Sequence, residues 1–219
     1  MAGKTNSFIC IIGIDGSGKT TLASTVAQEL YSRDKDYIYV YGLMTPFLTK
    51  PLLSVGRRIF TSGTSKKKNY KGFLEAKKKG MKKYPFAYSI YRGTTFVDCY
   101  PQVFWKITIP LMKGKKIVSD RYIYDLLVDM ELNTESNVSR IKKSLGTYFR
   151  VLPKPDKVYL LDVPPEVAIS RKSDIPDIHY LQVRRRLYQS LADELNINIL
   201  DGTKPIETLS GQIISSIYS

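Results

Sequence analysis

Residues 8–30 read FICIIGIDGSGKTTLASTVAQEL. An unbroken apolar run, Phe8–Ile12, meets a glycine-rich turn. Apolar residues at helical spacing follow: Leu22, Val26 and Leu30, with Ala23 and Ala27 beside them. A run that is apolar at every position suits a strand buried on both faces, and recurrence at i, i+4 and i+8 suits a helix with one buried face. Gly13 through Thr20 fit the pattern G-x-x-x-x-G-K-[ST]. A chance match in a chain this long is on the order of one per cent at ordinary glycine usage, and this match falls between a strand and a helix, as the pattern requires.

Glycines let successive backbone N–H groups turn inward around an anion. The first turn of the next helix adds its own unpaired N–H groups and the positive end of its dipole. Gly13, Gly16, Ser17, Gly18, Lys19, Thr20 and Thr21 are therefore candidates to hold the phosphates of ATP. Lys19 is suited to the β- and γ-phosphates and the Thr20 hydroxyl to Mg²⁺. A glycine-rich turn without a ligand is the alternative. Asp15 is the odd member, a carboxylate inside an anion cradle. It either bonds its own loop as a turn-former or faces something other than the donor phosphates.

Four more runs read as strands: 37–42, 115–120, 156–163 and 197–201, after the first at 8–14. Helical stripes fill the gaps, among them Leu181, Tyr188, Leu191 and Leu195, then Ile206, Leu209, Ile213 and Ile217. Strands alternating with helices predict a doubly wound α/β fold with a parallel sheet, ligands binding beyond the carboxyl ends of its strands. One such end reads Ser119-Asp120-Arg121-Tyr122. Asp120 suits the Mg²⁺ shell, and the planar fork of Arg121 suits a second phosphate; a structural Asp–Arg pair is the alternative. A GTPase would carry an N-K-x-D signature after a later strand, and none is present. Pro101 falls inside an otherwise helical stretch, 86–111, and predicts a kink or break there.

The chain has 219 residues, 43% hydrophobic and 25% charged, with a net charge of +14. Its length suits a single domain over 1–219. Cys10 and Cys99 offer neither a disulfide framework nor metal spacing, and Cys10 reads as a small packed hydrophobe. The first residues lack signal-peptide architecture and no run is long enough to span a membrane, so a cytoplasmic protein is expected. From Arg57 to Lys83 there are eleven Lys or Arg against one acid, Glu75, so this segment carries +10 of the +14. It attracts polyanions such as nucleic acid, or is simply a solvated insertion; the second is favoured, because no recognisable nucleic-acid module surrounds it. Residues 43–85 form a variable, lysine-rich insertion with a mobile loop expected around 61–72.

GIDGSGKTT (13–21), GKKIVSDRYIYD (114–125) and VYLLDVPPEVAISR (158–171) resemble, in order and separation, the thymidylate kinases. HYLQVRRRLYQSLADELNINILDG (179–202) is similar to the helix and last strand that follow the lid in that family. The resemblance covers 7–42 and 86–219. It implies a P-loop NTPase fold, a five-stranded parallel sheet with helices on both faces, and a short lid at 171–179. It implies that ATP, with Mg²⁺, gives its γ-phosphoryl group to a deoxynucleoside monophosphate, dTMP first. On this resemblance Arg121 binds the acceptor phosphate, Arg171 and Lys172 close over the donor, and Asp15 contacts the acceptor sugar. Tyr122 and Arg92 are placed on the acceptor side, and a homodimer forms through the helix around 86–111.

The chain departs from the family at three points. Asp98 is followed by Cys99 where the family has an arginine that helps recognise thymine; Arg92 lies about two helical turns earlier. The stretch YGLMTPFLTKPLL (41–53) lacks the family's arginine motif. The lid offers only Arg171 and Lys172 before Arg184. These departures also fit a phosphotransferase with another phosphorylated or hydroxyl acceptor, and a non-enzymatic ATP-binding protein docking on a polyanion is the third reading. Trp105 reads as core or dimer interface, His179 as surface, and Tyr88, Tyr91 and Tyr100 as candidates to stack on a base.

Overall fold

A computed structural model describes residues 7–44, 83, 85–131, 137–172 and 177–218. Residues 45–82 and 84 of the lysine-rich insertion, with the loop expected at 61–72, and residues 173–176 of the lid lie outside the described residues. All five expected strands are present, each one or two residues shorter than expected: β1 (Phe8–Ile12), β2 (Tyr37–Tyr41), β3 (Lys116–Asp120), β4 (Lys157–Asp162) and β5 (Asn198–Asp201). They form one parallel sheet in the order β2-β3-β1-β4-β5.

The sequence pattern explains this order. β1 is buried at every position, as its unbroken apolar run demands, and it lies at the centre of the sheet. Each fully buried isoleucine there contributes roughly 1.5–3 kcal/mol. β2 is an edge strand, with Tyr39 and Tyr41 exposed. Helices α1 (Lys19–Arg33) and α8 (Ile206–Tyr218) pack Leu22, Val26, Leu30, Leu209 and Ile213 against Ile9 and Ile11 on one face. The other face, carrying Phe8, Cys10 and Ile12, is covered by α2 (Pro85–Val103), α4 (Ile123–Glu131), α5 (Asn137–Tyr148) and α7 (Ile178–Leu195). Two short helices, α3 (Ile109–Met112) and α6 (Pro165–Arg171), complete the chain. Cys10 is fully buried, in keeping with its reading as a small hydrophobe.

The helix does not break at Pro101. α2 continues through it to Val103, and the ladder then widens into a π-helical segment at Phe104–Thr108. Pro101 and Pro110 each lack an N–H and crowd the carbonyl four residues earlier. The wider π turn between them lets the chain stay helical with those bonds missing. Trp105 is 69% exposed in the single chain, which corrects the core reading of that residue; Phe86, Ile90, Val97 and Tyr100 are exposed on α2 as well. No helix among the described residues is long and apolar enough to cross a membrane.

β1 sits between β3 and β4, so the chain leaves it to one side and later crosses to the other. This reversal opens a crevice at the carboxyl ends of β1 and β3, where ligands of such sheets bind. β1 leads into Gly13 there, and β3 ends in Asp120, whose register partner is Ile11.

Candidate active site

Gly13, Gly16 and Gly18 have φ of +149°, +81° and +96°. A Cβ on Gly13 would stand 2.6 Å from the Leu161 carbonyl oxygen, and one on Gly16 2.3 Å from that of Ala168. The turn is thus pressed onto β4 and α6 so closely that only glycine fits, and α1 begins directly behind it. Lys19, the first residue of α1, folds back over the turn. Its Nζ donates to the Ile14 carbonyl at 2.5 Å and lies 3.4 Å from Ser17 Oγ. Burial, and then the charge of Arg121, lower its pKa to about 7 against the pull of Asp125, Asp15 and Asp120.

Asp120 is fully buried at the end of β3. Its Oδ2 accepts from the Thr20 hydroxyl at 2.6 Å and from Tyr39 at 3.2 Å. Its Oδ1 has no hydrogen-bond partner among the described residues. A hydroxyl and a carboxylate with a spare oxygen, facing a phosphate cradle, fit Mg²⁺, which takes one or two protein oxygens and leaves the rest to phosphate and water. A dedicated cage is not built here: the described residues contain no cluster of three or more His, Cys, Asp or Glu.

Asp15 turns away from the cradle. One oxygen accepts from Arg121 at 2.7 Å, the other from Tyr180 at 2.9 Å. Burial alone would raise the Asp15 pKa, but Arg184, Lys19 and Arg121 outweigh it and hold the group well below the usual carboxylate range. Arg121 also faces Asp125 at 3.4 Å. Its backbone is left-handed, with φ of +71°, a strained conformation costing about 1–2 kcal/mol. Two neighbours secure it. Ser119 Oγ donates to the Arg121 carbonyl at 2.5 Å. Gly42 lies so close that a Cβ there would be 2.2 Å from the same oxygen. Behind Asp15, Arg184 is 1% exposed and pairs with Asp129 and the Tyr180 hydroxyl. Tyr188 donates to Asp125 at 2.8 Å and completes the network.

Arg171 ends α6 against the cradle, its guanidinium donating to the Ser17 carbonyl at 3.3 Å and the Gly202 carbonyl at 3.2 Å. Lys172 follows it, exposed, as do Thr20 and Thr21 at the start of α1. Tyr122 is a correction. It is 1% exposed in the core, its ring against Phe8 and its hydroxyl donating to the Pro153 carbonyl at 3.0 Å. The left-handed turn at Arg121 sends the two side chains to different places. Arg92 also departs from its expected place: it reaches Ser144 at 2.6 Å and Glu131 at 3.5 Å, forming a polar cluster between α2, α4 and α5. Cys99 is buried, and burial, then Asp98, push its thiol up to about 12. His179, read as a surface residue, is half-buried. The sequence reading missed Tyr39, Tyr180 and Arg184. Tyr180, Arg184 and Tyr188 recur every four residues, a polar stripe on one face of α7 that could have revealed the latter two.

A parallel sheet of this order, with a strand, glycine turn and helix forming an anion cradle at its switch point, defines a nucleotide-binding protein of the P-loop NTPase fold. The thymidylate kinase family model matches residues 96–213. A probable thymidylate kinase of Archaeoglobus fulgidus is 27% identical over 227 aligned positions, covering 96% of this chain and 94% of that protein. A probable thymidylate kinase of Saccharolobus solfataricus is 29% identical over 229 positions, covering 95% of each. The crystal structure of thymidylate kinase from Ehrlichia chaffeensis shares the fold at a TM-score of 0.50 and 19% identity, over 98% of this chain and 99% of that one. The chain belongs to the thymidylate kinase family, and is an ATP-dependent nucleoside monophosphate kinase of that family.

Proposed function

We propose that this chain transfers the γ-phosphoryl group of ATP to a deoxynucleoside monophosphate, dTMP first. The observation that carries the reading is the 2.7 Å pair of Asp15 with Arg121 at the rim of the glycine cradle, where a donor site meets a cation suited to a second phosphate. The bond between Pγ and the β,γ-bridging oxygen breaks, and a bond from an acceptor phosphate oxygen to Pγ forms. The products are ADP and a nucleoside diphosphate. The acceptor oxygen is already ionised near neutral pH, so no general base is required. What the protein supplies is position and positive charge.

In this reading the turn's N–H groups and Lys19 hold the β- and γ-phosphates, and Lys19 unfolds from the Ile14 carbonyl to reach them. Arg171, with Lys172 beside it, neutralises the donor from the lid side. Arg121 clamps the acceptor phosphate with its fork. Asp15 keeps Arg121 and Tyr180 and still has lone pairs to accept from the acceptor's sugar hydroxyl. Thr20 and Asp120 would hold Mg²⁺, which would supply positive charge to the donor phosphates. The names of the relatives support dTMP, and the intact loop supports ATP as the donor. Cys99, buried and uncharged, supplies no cation to read the base, so selectivity among pyrimidines rests on other groups. The exposed Phe86, Ile90, Val97, Tyr100 and Trp105 support a homodimer through α2 and the π segment. Substrate and fold together suit a cytoplasmic enzyme.

Phosphoryl transfer to a panel of monophosphates, read by ADP release, tests the reading. Failure with dTMP, dUMP, dCMP, UMP, CMP and AMP alike, while ATP still binds, would reject it. A second test uses Lys19. In the free loop its pKa is about 7, and a bound polyphosphate raises it. Between the two values the complex holds more protons than the free protein. ATP affinity should therefore fall as pH rises above about 7, by up to a factor of about ten per pH unit. Calorimetry at about pH 8 in buffers of different ionisation enthalpy should show uptake of about one proton per ATP; proton release, or no exchange, contradicts the assignment.

A further inference from the structure

A cavity of about 530 Å³ opens on the edge of the sheet opposite the phosphate loop, at the amino ends of β4 and β5 and the last turns of α5 and α7. Its walls include Phe149, Val158, Leu195 and Ile197, the partly buried margin of the core on that face. The charged lining is three lysines, Lys142, Lys154 and Lys157, against Asp156, with Asn196 and Asn198 as neutral polar neighbours. Asp156 is engaged with the backbone N–H groups of Ser7 and Phe8, both at 3.0 Å, and Lys157 donates to the Ser216 carbonyl. Lys142 is exposed and paired with Glu194 at 2.5 Å, and Lys154 is exposed at the margin.

Gly146 lines the cavity from the last turn of α5. A Cβ there would meet nothing within 4 Å. Glycine is among the poorest helix formers, so neither packing nor helix stability asks for it. Gly146 therefore leaves its part of the cavity wall without a side chain. A concavity that joins an apolar wall to charged and polar groups suits a small molecule with both characters.

We propose that this cavity binds a small anion with an apolar body, an aryl or branched-alkyl phosphate or carboxylate. The apolar part lies on Phe149, Val158, Leu195 and Ile197, and the charge faces Lys142 and Lys154. The site lies at the opposite end of the strands from the phosphate loop, so ATP does not compete for it.

The test is a methyl-resolved NMR titration of the full chain with phenyl phosphate, with and without saturating ATP. Signals of Val158, Leu195 and Ile197 should shift saturably in both cases. Phenol, lacking the charge, and inorganic phosphate, lacking the ring, should each bind at least about tenfold more weakly. Gly146→Leu should weaken phenyl phosphate at least about tenfold and leave ADP release unchanged. Lys154→Glu, at an exposed position that does not threaten folding, should weaken it about fivefold. The proposal is overturned if the cavity signals stay still or ATP displaces the probe. It is equally overturned if phenol binds as well as phenyl phosphate, or if Lys154→Glu and a folded Gly146→Leu bind like the wild type.

Discussion

Lys19→Ala is expected to lower turnover with every acceptor by about 10³-fold or more, the scale of losing a main cation on a transferring phosphoryl group. The fold should not suffer with it. The Lys19 pKa falls from 10.5 unfolded to about 7 folded, so between those values the unfolded state binds more protons and stability rises with pH. At pH 7 and below, nearly the whole burden of a buried cation is present. Lys19→Met, which keeps most of the volume, removes that burden, so its melting temperature at pH 7 should equal or exceed that of the wild type. Steady-state kinetics with thermal melts check both halves. Retained turnover, or a loss of activity that merely follows a fall in Tm, would remove Lys19 from the phosphate site.

Arg121→Ala is expected to lower kcat/KM for the acceptor by about 10²–10³-fold and to change ATP affinity by less than about threefold. It should also destabilise the protein. Asp125 is 1% exposed and Asp15 is partly buried, and both lose the Arg121 cation while each keeps a tyrosine hydroxyl. Breaking such a pair costs about 2–4 kcal/mol, or roughly 5–15 °C in a chain of this size. Arg121→Lys restores charge but not the fork, so it should recover most of the stability and only part of the acceptor kcat/KM. Equal losses of ATP affinity in the Lys19 and Arg121 variants would contradict the division of the loop into donor and acceptor halves.

The glycine turn proposed to hold the donor was legible because its signals are local. Strand, turn and helix lie within 26 consecutive residues, 8–33, and only glycines fit the turn. The parallel sheet was legible for a similar reason: buried strands are apolar at nearly every position, and the stripes of α1, α7 and α8 keep their period. The acceptor half depends on long-range encounters. Tyr180 lies 165 residues from the Asp15 it holds; the four-residue stripe it shares with Arg184 and Tyr188 is its one local mark, and that stripe does not name Asp15 as the partner. Tyr188 reads as one more apolar residue of the α7 stripe, and it is buried, but its hydroxyl serves Asp125. Tyr122 misled by adjacency, because the positive φ of Arg121 breaks the alternation that neighbouring positions suggest. At Pro101 the local rule predicted a kink or a break; the helix does not break, and a π turn follows it. Tyr39 could not be tied to Asp120 until β2 was known to pair with β3.

The most direct measurement follows the phosphorus atom. The protein is incubated with ATP labelled in its γ-phosphoryl group, Mg²⁺ and dTMP, and the products are separated and counted. The expected result is label in dTDP, equal to the ADP formed, and loss of that transfer in Lys19→Ala. Label found only in inorganic phosphate, or left in ATP with every monophosphate supplied, would contradict the proposed reaction.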